Sequence, residues 1–236
     1  MIPVLGIPVI NHPDYLAECV ASIDAPLARL VIIDNSLDGG MGEVARSVLP
    51  DCVGELVVTR PPSNLGYSAS LNLLIRTHAN VPWWMYANAD AVFAPGDMAR
   101  VAAQMQTEPG PFLCGIRDFR LFGLNAACVS RIGFWDENFH PIYCEDTDYT
   151  RRITLGGARI LMLPGETGHV GSVCYRGDGN PNAAHNARTY PSNRRYYVEK
   201  WGGDIGREGY ATPFDQGGSV ADWSLRFDRV RDNDWR

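Results

Sequence analysis

Residues 83–93 read WWMYANADAVF, an apolar run with two tryptophans that stops at an amide and a carboxylate two positions apart. A buried strand ending at Asn88-Ala89-Asp90 has two readings. Asn and Asp favour turns because their side chains bond the neighbouring backbone. The same pair at a strand end can also present oxygen to a metal. The choice depends on what kind of sheet the strand belongs to.

Upstream, apolar runs alternate with helical patterns. Val4–Val9 reads as a first buried strand, and Asn11-His12-Pro13 signals a helix start before an amphipathic stretch to about Ser22. Leu30–Ile33 is a second β-branched run ending at Asp34, followed by a turn over Ser36–Gly40 and a helix through about Leu49. Glu55–Thr59 predicts a third strand, Asn64-Leu65-Gly66 leads into a helix over roughly Ser68–His78, and Trp83–Ala87 is the fourth strand. This order predicts an α/β fold with a mostly parallel central sheet, right-handed crossovers and flanking helices. Such sheets bind ligands outside the carboxyl ends of their strands. That rule puts Pro8 with Asn11, Asp34 with Asn35, and Asn88-Ala89-Asp90 on one rim. Each alone reads as a cap or a turn, whereas three at one rim make a candidate site.

The second half has a different texture. After a helix over about Pro95–Gln106 come short strands near Phe112 and Phe119, an apolar helical stretch at Ala126–Ile132, and the segment FWDENFHPIYCEDTDYTRRITLGG. There Glu145, Asp146 and Asp148 crowd the start of a helix that ends at Gly156-Gly157. The helix dipole favours carboxylates in a first turn, so capping is the plain reading. Three in four residues exceed what capping needs, and their repulsion with partial burial predicts a raised pKa for at least one, as a general base requires. A strand near Ile160–Leu163 precedes ETGHVGS, and a polar helix from about Asn182 to Trp201 ends in KWGG. The pattern divides into residues 1–203, with halves at 1–106 and 107–203, and an extension over 204–236. The extension carries Phe214, Trp223, Phe227 and Trp235. Those aromatics predict that it wraps over the domain or meets another subunit, and disorder is the competing reading.

Composition narrows the classes. The 236 residues are 45% hydrophobic and 20% charged with a net charge of −6, which gives no general attraction to nucleic-acid backbones. No window approaches the ~20 apolar residues of a membrane span, and MIPVLGIPVINHP lacks the basic and apolar regions of a secretory signal. An intracellular, cytoplasmic chain is expected. Six cysteines without C-x-x-C spacing argue against a zinc ribbon, a redox motif or a disulfide framework.

The ordered segments GIPVINHP, VIIDNSLD, NLGYSASLN, YANADAV, IGFWDENF, YCEDTDYTRR, His169 and YYVEKWGG resemble the inverting nucleotide-sugar glycosyltransferases of the GT-A fold, a family-2-like group that includes rhamnosyl- and galactofuranosyltransferases. The resemblance covers about Val4–Gly203. It implies that Asp34 contacts the nucleobase, with Pro8, Asn11 and Asn35 around that pocket, and that Asn64, Gly66 and Asn72 shape the nucleotide side. Asn88-Ala89-Asp90 resembles a D-x-D motif with Asn in the first position, so Asp90 is implied as ligand to a divalent cation, Mn2+ or Mg2+. His169 falls where many members have a further metal ligand; a satisfied loop histidine is its plain alternative. Asp146 falls at the catalytic base, with Glu145 beside it. Trp135, Asp136 and Asp148 are the candidate acceptor contacts, Trp135 having packing beside Phe134 as its other reading.

The function expected is therefore metal-dependent, inverting sugar transfer from a nucleoside-diphosphate donor, UDP by resemblance, to a protein, glycan or small-molecule hydroxyl. A nucleotidyltransferase would carry a glycine-rich loop after the first strand, and VINHPD has no glycine. A dinucleotide enzyme would carry G-x-G-x-x-G there. A sugar-nucleotide or glycan binding module without turnover stays open because of Asn88. A transferase acting on DNA bases would need the arginines of the C-terminal part gathered on one face. A homo-oligomer would form through the extension.

Overall fold

The computed structural model describes residues 1–169 and 183–223, with the backbone alone for His169, Asp222 and Trp223. Its chain order begins β1 (Leu5–Val9), α1 (Pro13–Ala21), β2 (Leu27–Asp34), α2 (Met41–Ser47), β3 (Val53–Thr59), α3 (Gly66–Thr77) and β4 (Trp83–Ala87). It continues with β5 (Ala91–Val92), α4 (Asp97–Thr107), β6 (Phe112–Ile116), β7 (Asp118–Asn125), α5 (Ala126–Ile132) and α6 (Glu145–Leu155). The last elements are β8 (Arg159–Leu163), β9 (Gly168–His169), α7 (Ala183–Trp201) and two short 3-10 turns, Pro213–Asp215 and Val220–Trp223.

Seven strands form one sheet in the order β3-β2-β1-β4-β7-β6-β8. The first four are parallel where they pair, as are β6 and β8, but β7 runs antiparallel to both β4 and β6. Both faces are covered, so β4 is an unbroken apolar run rather than an alternating one. Alternate residues serve opposite layers: Trp83, Met85 and Ala87 join the core that contains Leu16, Met41 and Met98, while Trp84 and Tyr86 join the one that contains Leu71, Cys128 and Ile153.

The strand expected near Phe119 is eight residues long and lies inside the sheet, between β4 and β6. It follows β6 through a tight reversal in which Arg117 has φ +58. That hairpin converts a parallel array into a mixed one, and its antiparallel register (Trp83↔Asn125, Ala87↔Leu121) brings Asp118–Arg120 beside the end of β4.

Between residues 204 and 223 the chain lies against the domain. Phe214 packs on Tyr196 with ring centroids 5.9 Å apart, and Val220 is buried among Ile132 and Ile153. The expected roles of Phe227, Trp235 and Arg226, Arg229 and Arg231 lie outside the described residues, as do Cys174 and the Trp223 side chain. Cys19, Cys52, Cys114, Cys128 and Cys144 are free thiols.

Candidate functional site

A cavity of about 340 Å³ opens where β1, β2 and β4 end. Its lining brings Pro8 and Asn35 from the first two strand ends together with Asn88, Ala89 and Asp90 from the third. The second half closes it with Asp118 and Arg120 at the start of β7 and with Glu145 and Asp146 at the start of α6. Residues separated by well over a hundred positions thus line one cavity.

Hydrogen bonds hold the nucleotide-side rim. The Asn35 amide donates to Ser70 Oγ at 3.1 Å, and its oxygen accepts the Leu65 N–H at 3.0 Å, tying β2 to the turn before α3. Asn64 Oδ1 accepts the Gly66 N–H at 2.8 Å. Gly66 has φ +72, and a Cβ there would sit 2.6 Å from His140 Nδ1 and 2.7 Å from the Pro141 oxygen, so both conformation and space require glycine. The next amide, Tyr67 N–H, donates to that same Pro141 oxygen at 2.8 Å, locking α3 to the loop that leads into α6. His140 Nδ1 donates to the Leu65 carbonyl at 3.2 Å, and burial pushes its pKa down to about 3, which leaves it neutral.

Tyr67 is a site residue that motif reading missed. Its hydroxyl donates to Asn88 Oδ1 at 3.0 Å, and burial, with Glu145, Asp146, Asp90 and Asp118 around it, raises its pKa well above the usual phenol value. Arg120 was missed too. Its guanidinium is bound by Asp118 at 2.8 and 2.6 Å and donates to the Thr167 carbonyl at 3.1 Å. The Thr167 stretch is in turn fixed by Asp97, whose Oδ2 accepts the Thr167 N–H at 2.8 Å and its hydroxyl at 2.6 Å. This anchors β9, where His169 stands opposite Ala91, one residue from Asp90. The His169 side chain lies outside the described residues. Among those described, no group of three or more His, Cys, Asp or Glu is arranged to hold a metal alone.

Two adjacent acids open α6. Asp146 Oδ1 accepts the Thr147 N–H at 2.7 Å and faces the cavity. Glu145 is 7% exposed, and its Oε2 is buried without a hydrogen-bond partner. Burial and then the charge of Asp146 push the Glu145 carboxyl well above its ordinary value, opposed in part by backbone hydrogen bonds from Glu145 and Tyr143. The preceding residues, Tyr143 (φ 80) and Cys144 (φ 74), are both left-handed without being glycine. Strain of this kind costs about 1–3 kcal/mol per residue and persists only where surrounding contacts impose it.

Several of the expected contacts lie off the cavity lining. Asp34 is 2% exposed and spends its oxygens on the Ser36 and Met41 amides at 3.0 and 3.3 Å, so it shapes the turn into α2 and is absent from the cavity lining. Asn11 also lies off the lining; its N–H donates to Ser36 Oγ at 2.9 Å. Asn72 is fully buried and clamps the Trp135 backbone, accepting its N–H and donating to its carbonyl, both at 2.9 Å. Trp135 is fully buried and stacks on Tyr149 at 4.0 Å. Asp136 and Asp148, the other acceptor candidates, are buried around Lys200, whose Nζ lies 2.6 Å from Asp136 Oδ2 and 2.7 Å from Asp148 Oδ1. Arg152 Nε and Trp201 Nε1 also donate to Asp148, at 2.8 and 2.9 Å, and Tyr196 donates to Asp136 at 2.9 Å. Burial alone would raise the Asp148 carboxyl, but Lys200 and Arg152 outweigh it and hold it below its ordinary value. Trp135, Asp136 and Asp148 do not line the cavity.

Known proteins share this architecture. A galactofuranosyl glycosyltransferase of Leishmania donovani is 24% identical over 247 residues, covering 71% of this chain and 56% of its own length. The chain thus spans little more than half of that curated relative. A mannosyltransferase of Pyrobaculum calidifontis in complex with GDP-Man and Mn2+ superposes with a TM-score of 0.55 at 19% identity, over 68% of this chain and 54% of its own. TarS 1–349 of S. aureus in complex with UDP-GlcNAc gives 0.53 at 15% identity, over 75% and 62%. At these identities the solved structures establish the fold, which is that of GT-A glycosyltransferases. Residues 5–151, more than half of the chain and the part that builds the cavity from Pro8 to Asp146, match the family described as glycosyl transferase family 2, and the protein belongs to it.

Proposed function

We propose that this chain transfers a sugar, with inversion, from a nucleoside-diphosphate donor to an acceptor hydroxyl, and that Asp146 is the general base. One observation carries the reading: a single cavity joins the ends of the parallel strands, the Asn88-Ala89-Asp90 turn and the Asp146 carboxylate. The strand ends suit a nucleotide. Asp146 lines the same cavity, where it can take the proton of an acceptor hydroxyl attacking the anomeric carbon. One base and direct displacement would give inversion at that carbon.

The donor set fits a divalent cation shared with the substrate better than one caged by protein. Asp90 offers one carboxylate on the cavity wall, and the position of His169 across the β5–β9 pair makes it the second candidate ligand. Hard cations that bind nucleotide phosphates characteristically use one or two protein carboxylates and fill the remaining positions with phosphate and water. Such an ion, when bound, would neutralise charge developing on the diphosphate. Arg120, held beside this wall by Asp118, adds fixed positive charge near it.

UDP is the proposed carrier, supported by the UDP-GlcNAc complex of TarS; the GDP-Man complex of the Pyrobaculum enzyme makes GDP the comparison to run. Thermal-shift titration with UDP, GDP and their sugars, with and without manganese, tests donor and metal together. A manganese-dependent shift specific to one nucleotide is expected, and no shift with any of them would overturn the reading. Asp146→Asn should lower donor turnover, measured as sugar release to water or acceptor, by about 10²–10⁴-fold while leaving the nucleotide shift intact. Full turnover in that variant would remove Asp146 as base. The rival reading, a binding module without turnover, draws on Asn88 replacing the first acid of the motif, and nucleotide binding with no sugar release from the native protein would favour it.

A further inference from the structure

We infer that Glu145 recognises the substrate as a neutral carboxylic acid, donating a hydrogen bond from its carboxyl to a sugar hydroxyl in the cavity while the neighbouring Asp146 acts as base. The inference rests on the glycosyl-transfer reading of this site and adds a recognition residue whose chemistry is opposite to that of its neighbour.

Geometry carries the argument. Glu145 lines the cavity at 7% exposure, and one of its oxygens is enclosed with no protein partner. A buried polar atom left unpaired costs about 1–3 kcal/mol, and more when it is charged, so the enclosed oxygen disfavours the carboxylate form of Glu145. No ion pair among the described residues includes Glu145. The groups that surround it are acids, phenols and a thiol: Asp146 and Asp148 on its own helix, Tyr143 and Cys144 in the turn before it, and Tyr67 from α3; Arg194, whose field reaches Cys144, is paired with Asp204. The cation on the cavity wall, Arg120, is already bound by Asp118. Asp148 has Lys200 and Arg152 for itself. With its negative neighbours uncompensated on this side, the carboxyl keeps its proton, in line with the direction in which burial and Asp146 push it.

A protonated carboxyl is a donor as well as an acceptor. An anionic phosphate placed here would meet Asp146 at close range, whereas a hydroxyl can accept from Glu145 and donate onward. The partner chemistry is therefore a sugar hydroxyl, on the donor or on the acceptor. The Tyr67 hydroxyl, bonded to Asn88 and within the field of Glu145, connects this position to the donor turn.

The test compares Glu145→Gln, which keeps an N–H donor of the same shape, with Glu145→Ala. With UDP-sugar and UDP as probes, Glu145→Gln should retain affinity and sugar release within a few-fold of native. Glu145→Ala should lose about tenfold to a hundredfold in one of them, the scale of one buried hydrogen bond left unmade. A loss in UDP-sugar binding but not UDP binding assigns the hydroxyl to the donor, and a loss confined to transfer assigns it to the acceptor. A Glu145→Gln variant as impaired as Glu145→Ala would overturn the inference, because the function would then need a carboxylate.

A second arm needs no substrate. A carboxyl whose folded pKa lies above its unfolded value of 4.5 costs stability as pH rises past that value. Glu145→Gln should melt higher than native at pH 8, the gap closing as pH falls toward 4.5. Equal or lower melting at pH 8 would sink the neutral-acid assignment. Native protein that binds no nucleotide sugar would instead overturn the proposed function, so the two failures are distinguishable.

Discussion

Glu145 and Asp148 stand three residues apart on the same helix and meet opposite fates. Asp148 is fully buried, yet two cations and an indole N–H surround it, and its carboxyl is held below the ordinary range. Glu145 is nearly as buried, has no cation, and is pushed the other way. Burial does not by itself decide whether an acid ionises; the charges supplied by distant parts of the chain do. Lys200 lies 52 positions beyond Asp148 and turns one side of α6 into a neutral internal lattice. The other side, left without a countercharge, becomes the wall of the cavity.

The largest expected effect comes from breaking the compensated side. Lys200→Met leaves Asp136 and Asp148 facing each other in the interior without their shared ammonium, which should cost about 3–5 kcal/mol in urea unfolding. The same variant should alter acid stability. Asp148 has a depressed folded pKa, so its contribution is present above 3.8 and disappears as pH falls through the folded value. Without Lys200 that loss should begin at higher pH. An unchanged acid limb and unchanged urea midpoint would show that the two carboxylates do not depend on Lys200.

A neutral clamp sharpens the contrast. Asn72→Ala strands the Trp135 N–H and carbonyl inside the protein and removes the bond that its amide donates to Glu137, for an expected loss of about 1–3 kcal/mol in urea unfolding. An unchanged urea midpoint would show that these groups find other partners when the amide is gone.

The smallest effect is expected on the cavity side. Tyr67→Phe deletes the hydrogen bond to Asn88 and should cost about 0.5–1.5 kcal/mol, while weakening nucleotide-sugar binding by less than tenfold in the thermal-shift titration. A loss as large as that of Asp146→Asn in sugar release would give Tyr67 a direct part in the chemistry.

The strands that build the rim were legible because apolar runs ending in Asn or Asp are unambiguous: β4 begins and ends at Trp83 and Ala87, as its pattern predicts, and α5 likewise spans Ala126–Ile132. The antiparallel place of β7 was not. A strand is expected near Phe119, but its direction is set by a reversal at Arg117 that periodicity does not encode. At the site, residue type was a good guide to polarity and a poor one to exposure. Asp34, Asn72, Asp136 and Asp148 all carry groups suited to ligands, yet each is consumed by backbone amides or buried cations from elsewhere in the chain. Tyr67 escaped notice for the converse reason, since nothing in NLGYSASLN marks its hydroxyl as aimed at Asn88.

The lattice around Lys200 also bears on where the protein can be cut. The family match stops at residue 151, one position before the buried Arg152 and 49 before Lys200. A fragment trimmed to that boundary would retain Asp90, Glu145 and Asp146 but would expose Asp136 and Asp148 with no cation to meet them. Keeping both acids matched to their partners takes the chain through Lys200 and Trp201 at the end of α7, so a fragment cut at residue 151 is expected to lose stability with them.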